Sequence, residues 1–421
     1  MADTTVFPAT PRCSFSWPDI DEVPPRSWRT PIAALALRHA VRNLPLRIIL
    51  RSNEVWGAGS AEAPAIMIND PESFFRRVGK SGMIGFGESY MADEWGAADA
   101  ETLTAALTIL ADDLDGLIPP ILQRLRRFAL QTTPVESRDW RQASKENVAA
   151  HYDLSNDLFA AFLDPTMTYS AGLFEDASGA EWPDLKAAQH AKIDRLLDKT
   201  AVGPGTRLLE IGTGWGALAI RAAQRGAFVT TLTLSEQQAA LAAQRADAAG
   251  VGARVEIRLQ DYRDADGSYD AIVSVEMVEA VGYREWPTYF VALDRLLAPG
   301  GKVGIQAITM PNHRMLATRN TQGWIHKYIF PGGLLPSVEA IERTVDAHTD
   351  LHVSERLSFG DHYATTLRLW RERFEAGWAG LQKLGFDDTF RRMWLLYLCY
   401  TRAGFEAGYL DVHQFILAGN R

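Results

Sequence analysis

The stretch LLEIGTGWGALAI, which covers Leu208–Ile220, joins an apolar run to a helix-like run through glycines at alternate positions. Glycine has no side chain, so the backbone can turn sharply there and a ligand can approach it closely. Short apolar runs and helix-like segments keep alternating downstream. The run FVTTLTL is followed by a helix that Ser235 and Gln238 cap and Gly250 ends. After it come the strand-like runs RVEIRL and YDAIVSVEM, the helix-like segment WPTYFVALDRLLAPGG and the strand-like run KVGIQAITM. This alternation predicts a Rossmann-like α/β fold, with a mostly parallel sheet and helices on both of its faces.

At 421 residues the chain is long enough for more than one folded unit. Residues 30–130 mix helical segments with the strand-like runs LRIIL and AIMIND, which predicts a smaller N-terminal accessory domain of mixed structure. Residues 131–144 are polar and lose this periodicity, as a linker does, and residues 145–421 form the second domain. The run from GESYMADEW to TILADDL has the spacing of one amphipathic helix, and the tail from Leu367 to Leu417 is predicted to be largely helical.

The composition argues against several classes of protein. A net charge of -9 disfavours a nucleic-acid binder, because binding phosphates requires a basic face. Cys13 and Cys399 are the only cysteines and lie far apart, so we predict no disulfide framework, no metal site and a reducing, cytoplasmic location. The N-terminus lacks the pattern of a signal peptide, and no apolar run reaches the roughly 20 residues that cross a bilayer. Any membrane contact is therefore expected to be peripheral.

The glycine turn also indicates which cofactor the sheet binds. Its G-x-G-x-G spacing after an acidic residue departs from the G-x-G-x-x-G of dinucleotide-binding proteins. The second strand ends in TLTLS without a carboxylate for the ribose of NAD, which disfavours a dehydrogenase. S-adenosylmethionine has no phosphate, and its cationic amino acid end suits an acidic partner. We therefore predict S-adenosylmethionine, bound at the strand ends by Glu210, Gly212, Gly214, Gly216, Thr233, Leu234, Gln238, Gln260, Asp261 and Tyr262.

Several long motifs, in the same order, resemble those of the cyclopropane-fatty-acyl-phospholipid synthase family of S-adenosylmethionine-dependent methyltransferases. The resemblance covers about Lys145 to Leu417, and Tyr169 and Ser170 in its first motif join the predicted cofactor-binding residues. The motifs QAITMP and GESYMADEW are most similar to those of the tuberculostearic-type members, which leave a methylene branch. The motifs are HYDLSNDLFAAFLDPTMTYS, LLEIGTGWGALAI, TLTLSEQQ, LQDYRD, SVEMVEAVG, WIHKYIFPGGLLPS and FGDHYATTLRLWRERF.

The resemblance implies a class I methyltransferase that methylates the cis double bond of an unsaturated fatty acyl chain in a phospholipid. A carbocation forms on the way, so the site must exclude water, present aromatic faces and hold a base where a proton leaves. We predict a mid-chain methylene branch as the product, which a partner reductase could convert to a methyl branch. The alternatives are a cyclopropane ring on the same substrate, a small-metabolite methyltransferase, and a lipid-binding protein without catalysis.

In this family the base is thought to be a bound bicarbonate, and the resemblance implies which positions hold it. Glu279 in VEMVEAVG, Ile308 in QAIT and Tyr363 in GDHYATT match the family pattern. Ala171 stands where the family has Cys, and Gln306 where it has His, so the latter position loses a group that titrates near neutral pH. We predict Glu279 as the main catalytic residue and the other four as its neighbours.

The segment Arg26–Arg51 is the expected route to the substrate. All of its charged side chains are arginines, and apolar residues lie between them. Such a segment suits contact with an anionic membrane. We therefore expect peripheral binding at the inner face of the membrane, and the resemblance also implies a homodimer.

Overall fold

The structure is a computed structural model that describes residues 16–113 and 156–419. The predicted linker, residues 131–144, lies outside the described residues, so the division into domains stays a prediction. The described residues form two sheets, the first within residues 16–113 and the second within residues 156–419.

The smaller sheet contains both predicted runs, LRIIL and AIMIND. Its strands are β1 Arg47–Leu50, β2 Val55–Trp56, β3 Ala65–Ile68 and β4 Trp95–Ala97. They lie in the order β2-β1-β3-β4, with β1 parallel to β3 and the other pairs antiparallel. The helices of this part are α1 Pro18–Asp21, α2 Arg29–Val41, α3 Pro71–Ser81, α4 Met83–Met91 and α5 Ala100–Asp112.

The single helix predicted from GESYMADEW to TILADDL is wrong, because the stretch is divided among α4, β4 and α5. Trp95, the first residue of β4, is fully buried, and its indole N–H donates to the Phe86 carbonyl at 2.9 Å. Asp99 then begins α5 by accepting from the backbone N–H of Thr102 at 2.7 Å. Strand pairing and a new helix cap, which apolar spacing does not reveal, break the helix.

The larger sheet confirms the predicted α/β fold. Its strands are β5 Arg207–Ile211, β6 Phe228–Thr233, β7 Val255–Leu259, β8 Tyr269–Val275, β9 Leu297–Thr309, β10 Leu351–Ser358 and β11 Asp411–Gly419. They lie in the order β10-β11-β9-β8-β5-β6-β7, and β11 alone runs against its neighbours. The helices are α6 Asn156–Phe162, α7 Trp182–Lys199, α8 Ala217–Gln224, α9 Glu236–Ala248, α10 Val278–Val281, α11 Trp286–Leu296, α12 Asn312–Thr318, α13 Trp324–Tyr328, α14 Val338–His348, α15 Gly360–Lys383 and α16 Asp388–Glu406.

Helices cover both faces of this sheet, as predicted. Helices α11 and α14 pack with the sheet into one hydrophobic cluster, and α7 and α8 pack into another. The predicted helix over WPTYFVALDRLLAPGG ends early, at Leu296, because β9 begins with the next residue. No helix in the described ranges is both long and apolar enough to cross a membrane.

The tail from Leu367 to Leu417 is largely helical, as predicted, but it ends in a strand that the sequence analysis missed. Helices α15 and α16 are followed by β11, which lies between β10 and β9 and is buried over most of its length. A strand that is buried on both faces lacks the alternation of apolar and polar residues, so hydrophobic periodicity does not distinguish it from a buried helix. Helix α16 also packs against α4 and α5, so one hydrophobic cluster joins the tail to the N-terminal part.

Candidate active site

The predicted glycine turn links β5 to α8, and its glycines adopt backbone conformations that other residues rarely adopt. Gly212, Gly214 and Gly216 have φ angles of 97°, 51° and 88°, all in the left-handed region. A Cβ on Gly212 would lie 2.7 Å from the Cγ of Met277, and one on Gly216 would lie 3.1 Å from the Cβ of Ala242. A Cβ on Gly214 would meet nothing within 4 Å. Two of the glycines thus allow close packing, whereas Gly214 faces open space.

A cleft lies at the carboxyl ends of the parallel strands, the edge at which open α/β sheets bind ligands. Its empty volume is about 1260 Å³, including space open to solvent. Gly216 does not line it, because it packs against α9 instead. All other predicted cofactor-binding residues line it, namely Tyr169, Ser170, Glu210, Gly212, Gly214, Thr233, Leu234, Gln238, Gln260, Asp261 and Tyr262.

Glu210, on β5, has a buried carboxyl group at the base of the glycine turn. Its Oε2 accepts from the Thr231 hydroxyl at 2.6 Å, and that hydroxyl also lies 2.7 Å from the hydroxyl of Thr213. Burial raises the pKa of Glu210 from 4.5 to about 8, against the effect of the Thr231 bond. A cation beside the carboxyl group would favour its charged form. The residue is therefore matched to a positively charged group in the cleft.

The turn after β6 forms half of the predicted capping box. The Ser235 hydroxyl accepts from the backbone N–H of Gln238 at 3.2 Å and begins α9. The reciprocal bond is replaced, because the Gln238 side chain accepts from the Thr233 hydroxyl at 3.0 Å. This bond orders two cleft residues at the end of the strand.

The loop after β7 forms another wall of the cleft. The backbone N–H of Gln260 donates to the Thr233 carbonyl at 3.1 Å, which ties the loop to β6. Asp261 pairs with Arg263 at 2.6 Å, and the Arg263 guanidinium lies 5.6 Å from the ring of Tyr262. These contacts order a loop whose residues Gln260, Asp261 and Tyr262 are predicted to bind the cofactor.

A carboxyl group that the sequence analysis missed lies among the predicted catalytic residues. Glu276 directly follows β8 and lines the cleft. Its Oε1 accepts from the backbone N–H of Ala171 at 3.0 Å and from the Gln306 amide at 2.9 Å, and its Oε2 accepts from the Tyr363 hydroxyl at 3.0 Å. Burial raises the pKa of Glu276, whereas Lys192 and these donors oppose the rise. The signal was present in the motif SVEMVEAVG, which contains a second acidic residue.

The remaining two predicted catalytic residues form a separate pair. Glu279 lies on α10, and its Oε1 accepts from the backbone N–H of Ile308 at 2.6 Å. Its Oε2 is buried without a hydrogen-bond partner among the described residues. Burial, and then the charge of Glu276, raises the pKa of Glu279 from 4.5 to about 8. Glu279 therefore carries a proton near neutral pH.

Gln306 is held in one orientation by the strand that the sequence analysis missed. Its side-chain oxygen accepts from the Gln414 amide at 3.1 Å, which leaves its NH₂ group for Glu276. Gln414 is its cross-strand partner on β11. The oxygen of Gln414 in turn accepts from Arg195 at 2.7 Å. This line of side chains fixes one donor to Glu276.

A buried cation lies beside the same group of residues. Lys192, on α7, is fully buried and its ammonium group contacts the Ser170 hydroxyl. Desolvation lowers the pKa of Lys192 from 10.5 to about 8, against the attraction of Glu276. The neighbouring Gln189 donates to the Ser170 carbonyl at 2.9 Å. Helix α7 thus holds the loop that carries Ser170 at the cleft.

Aromatic rings surround Tyr363 and connect it to Tyr169, which lines the cleft. Its ring centroid lies 4.7 Å from that of Phe405 and 6.0 Å from that of Trp370, and Trp370 stacks on Tyr169 at 5.2 Å. Burial raises the pKa of Tyr363 well above its ordinary value, so its hydroxyl stays neutral and donates. Rings of this kind exclude water and stabilise a nearby cation.

The predicted bicarbonate does not fit this arrangement. The donors that the resemblance assigns to it already donate to carboxyl groups of the protein. Three of these bonds go to Glu276, and the fourth, from Ile308, goes to Glu279. A small planar anion would have to displace a side chain to reach them.

Comparison with known proteins gives matches along the whole chain. Residues 140–415 match the family described as mycolic acid cyclopropane synthetase. The tuberculostearic acid methyltransferase UfaA1 of Mycobacterium tuberculosis is 53% identical over 99% of this chain and 98% of its own. The cyclopropane-fatty-acyl-phospholipid synthase of Escherichia coli (strain K12) is 36% identical over 86% of this chain and 89% of its own.

Solved structures match the methyltransferase part. The cyclopropane synthase MmaA2 from Mycobacterium tuberculosis has a TM-score of 0.59 and 35% identity, covering 65% of this chain and 98% of its own. The mycolic acid cyclopropane synthase CmaA1, complexed with SAH and CTAB, has a TM-score of 0.59 and 33% identity over the same shares of each chain.

Proposed function

The chain belongs to the mycolic acid cyclopropane synthetase family, and on this basis we propose the reaction that it catalyses. As an S-adenosylmethionine-dependent methyltransferase, it methylates the cis double bond of an unsaturated acyl chain in a phospholipid and leaves a mid-chain methylene branch. The observation that carries the proposal is the 53% identity to a tuberculostearic acid methyltransferase over 99% of this chain. The match includes the accessory part as well as the cofactor cleft.

The residues that line the cleft suit the parts of S-adenosylmethionine. This cofactor supplies an electrophilic methyl group when bound. Gly214 leaves open space at the turn, and the buried acid of Glu210 would hold the cofactor's ammonium group. Thr233 and Gln238 would hold the ribose, and Tyr262 would contact the adenine. Their hydrogen bonds to one another and to the strand ends support these roles.

Methylation of an alkene leaves a positive charge on the acyl chain, and the surrounding residues support this chemistry. The ring of Tyr169 lines the cleft and stacks on Trp370, which contacts Tyr363, and aromatic rings of this kind exclude water and favour a cation. The carboxyl group of Glu276 supplies an acceptor for the proton that must leave, and that of Glu279 lies close to it in sequence with a raised pKa. A protein that only binds lipid would have no use for such a pair.

A cyclopropane ring is the second candidate product. It is favoured by the 36% identity to the synthase of Escherichia coli. Both products add one CH₂ unit. Loss of a proton from the new methyl group closes a ring while the positive charge is on the neighbouring carbon, and it forms a double bond after a hydride shift has moved the charge to the carbon that carries the methyl group. The higher identity to the tuberculostearic acid methyltransferase favours the methylene branch.

Vesicles of oleoyl phospholipid and a donor with a trideuterated methyl group test the proposed transfer. The acyl chains should gain a CD₂ unit, because one deuteron leaves from the transferred methyl group. Gly214→Val is the matched control, since its side chain would fill the cleft beside the turn. Unchanged acyl chains with the unmodified protein would contradict the proposal.

The acyl chain lies in a bilayer, and α2 offers a surface for reaching it. Trp28, Ile32 and Leu35 are 72%, 52% and 72% exposed, and their spacing puts them on one side of the helix. The Arg29 guanidinium lies 5.4 Å from the Trp28 ring, and every charged residue of Arg26–Arg51 is an arginine. Exposed apolar side chains flanked by arginines suit an anionic lipid surface.

Two further partners follow from the resemblance alone. A reductase would convert the methylene branch to a methyl branch, and a second copy of the chain would form a homodimer. Both stay predictions, as does a location at the inner face of the membrane.

A further inference from the structure

We propose that the carboxylate of Glu276 is the base that takes the proton, so that turnover needs no bicarbonate. This inference rests on the proposed function, because it concerns the proton lost in that reaction. It assigns to the protein itself a task that the resemblance gives to a bound anion.

The hydrogen bonds of Glu276 leave it one place for a proton. Each carboxylate oxygen can accept two hydrogen bonds. Its Oε1 already accepts two, from Ala171 and Gln306, whereas Oε2 accepts one, from Tyr363. The remaining position on Oε2 belongs to a side chain that lines the cofactor cleft. Glu276 is thus held rigidly and can still accept a proton.

The backbone at Glu276 supports a functional role. Its φ angle is 52°, in the left-handed region where a side chain other than glycine, asparagine or aspartate is uncommon. Such a conformation costs roughly 1–3 kcal/mol and is found at sites where the surroundings enforce it. Here the backbone N–H of Glu276 donates to the Gln306 carbonyl at 2.7 Å. This bond holds a left-handed backbone at a position where glycine would be relaxed, and the side chain placed there carries a carboxyl group.

The groups around Glu276 and Glu279 favour different protonation states of the two carboxyl groups. Lys192 and three donors favour the charged form of Glu276, whereas Glu279 has one donor and a raised pKa of about 8. Tyr363 stays neutral. Burial raises the pKa of both carboxyl groups, and Glu276 is the one whose hydrogen-bond donors and neighbouring cation favour the charged form. Glu279 also does not line the cleft, so it is the less accessible of the two.

The proposed step balances without another reactant. As the bond between the methyl carbon and an alkene carbon forms, the sulfur–methyl bond breaks and a carbocation remains on the acyl chain. A 1,2-hydride shift then moves the positive charge to the carbon that carries the new methyl group. Oε2 of Glu276 takes a proton from that methyl group, and the released electron pair forms the carbon–carbon double bond of the methylene branch. The proton on Glu276 returns to solvent through the open side of the cleft. Gln306, Tyr363 and Ala171 act as positioning residues.

Removal of dissolved carbon dioxide and bicarbonate is the first part of the test. The unmodified protein should methylate oleoyl phospholipid vesicles at the same rate with and without bicarbonate. Glu276→Gln, which keeps the size of the side chain but cannot take the proton, should lose roughly 10²–10⁴-fold in rate. Its binding of S-adenosylhomocysteine should stay unchanged, which separates a lost base from a lost fold. Glu339→Gln, on the exposed first turn of α14, is the matched control and should keep full activity.

Glu276→Gly provides the sharper readout. It relieves the left-handed backbone and leaves the donors facing a space of carboxylate size, so added bicarbonate or formate should restore part of the rate. The same anions should not rescue Glu276→Gln, whose amide fills that space. A merely structural role for Glu276 would give no rescue by a small anion.

The outcomes separate this inference from the proposed function. An unmodified protein that methylates lipid only when bicarbonate is present would overturn the inference and leave the function intact. So would full activity of Glu276→Gln. An unmodified protein that methylates no lipid under either condition would overturn the function itself.

Discussion

Glu276 and Glu279 lie three residues apart, and both are removed from solvent, yet their surroundings differ. The Glu276 carboxyl group accepts three hydrogen bonds close to Lys192, whereas the Glu279 carboxyl group accepts from the backbone N–H of Ile308. Environments that separate the protonation of two neighbouring acids are how proteins obtain an acid and a base at one pH. The charged form of each residue in this pair is therefore favoured or disfavoured by the hydrogen-bond donors and charges that surround its carboxyl group.

The raised pKa of Glu279 makes the stability of the protein depend on pH. Because the pKa rises from 4.5 to about 8, the folded state binds more protons than the unfolded state between these values. The free energy of unfolding must then fall with rising pH in this window, by up to about 1.4 kcal/mol per pH unit for this group. Glu279→Gln should remove this contribution and raise the stability near pH 8, since its side-chain oxygen can still accept from Ile308.

Urea denaturation of both proteins across that pH window measures the effect. The difference in unfolding free energy should grow in favour of Glu279→Gln as the pH rises. Parallel curves would show that Glu279 is not held protonated.

Gly214 is the position at which a side chain should exclude the cofactor. Gly214→Val places a branched group at the open side of the turn, with a backbone cost of about 1–2 kcal/mol. Gly250→Val is the matched control, because Gly250 has a φ of 72° and equally open surroundings but lies after α9, outside the cleft. Calorimetry should find S-adenosylhomocysteine binding weakened by at least tenfold in the first variant only, and equal loss in both would contradict the assignment.

At the residue scale, the sequence was sufficient to predict the residues that line the cofactor cleft, but it did not predict Glu276, the residue proposed as the base. The ends of parallel strands meet at one edge of the sheet, so motifs at those ends had to line one cleft. The role of Glu276 depends on a left-handed backbone and on Gln306, whose orientation is set by Gln414 on β11. None of these follows from a local pattern.

At the scale of elements, β11 shows why the fold was predicted incompletely. Its six consecutive buried residues, VHQFIL, include two polar ones and have no alternation of apolar and polar residues that would mark a strand. Its place is set by pairing with β9 and β10, which are distant in sequence. The alternating strands from β5 to β9 were predictable because each helix between them supplies its own periodicity and caps.

Helix α2 is the element that should bind the membrane. Leu35→Glu replaces an apolar side chain that is 72% exposed with a charge that an anionic surface repels. Burial of such a side chain is worth about 1.5–3 kcal/mol, so sedimentation with anionic vesicles should fall roughly tenfold or more. Methylation of phospholipid vesicles should fall with it.

Val291→Glu is the control for this experiment. Val291 is 45% exposed on α11, in the methyltransferase part of the chain. Its substitution changes the net charge equally and should leave vesicle binding intact. Equal loss in both variants would assign the effect to net charge instead of to α2.

At the scale of the whole molecule, the N-terminal part and the methyltransferase part share a hydrophobic cluster through α16. Polar contacts add to it, since the Tyr328 hydroxyl on α13 donates to Glu88 on α4 at 2.9 Å and Arg402 pairs with Glu101 at 2.8 Å. Chain length and the change of pattern predicted two parts. Their joint packing could not be predicted, because it depends on contacts between residues hundreds of positions apart.

The structure of the product tests the central claim most directly. Proton NMR of the acyl chains recovered from oleoyl phospholipid vesicles, after reaction with S-adenosylmethionine, distinguishes two products of equal mass. We predict the downfield signals of a methylene group on a carbon–carbon double bond. Upfield cyclopropane signals, with none from a methylene group, would contradict the proposed product.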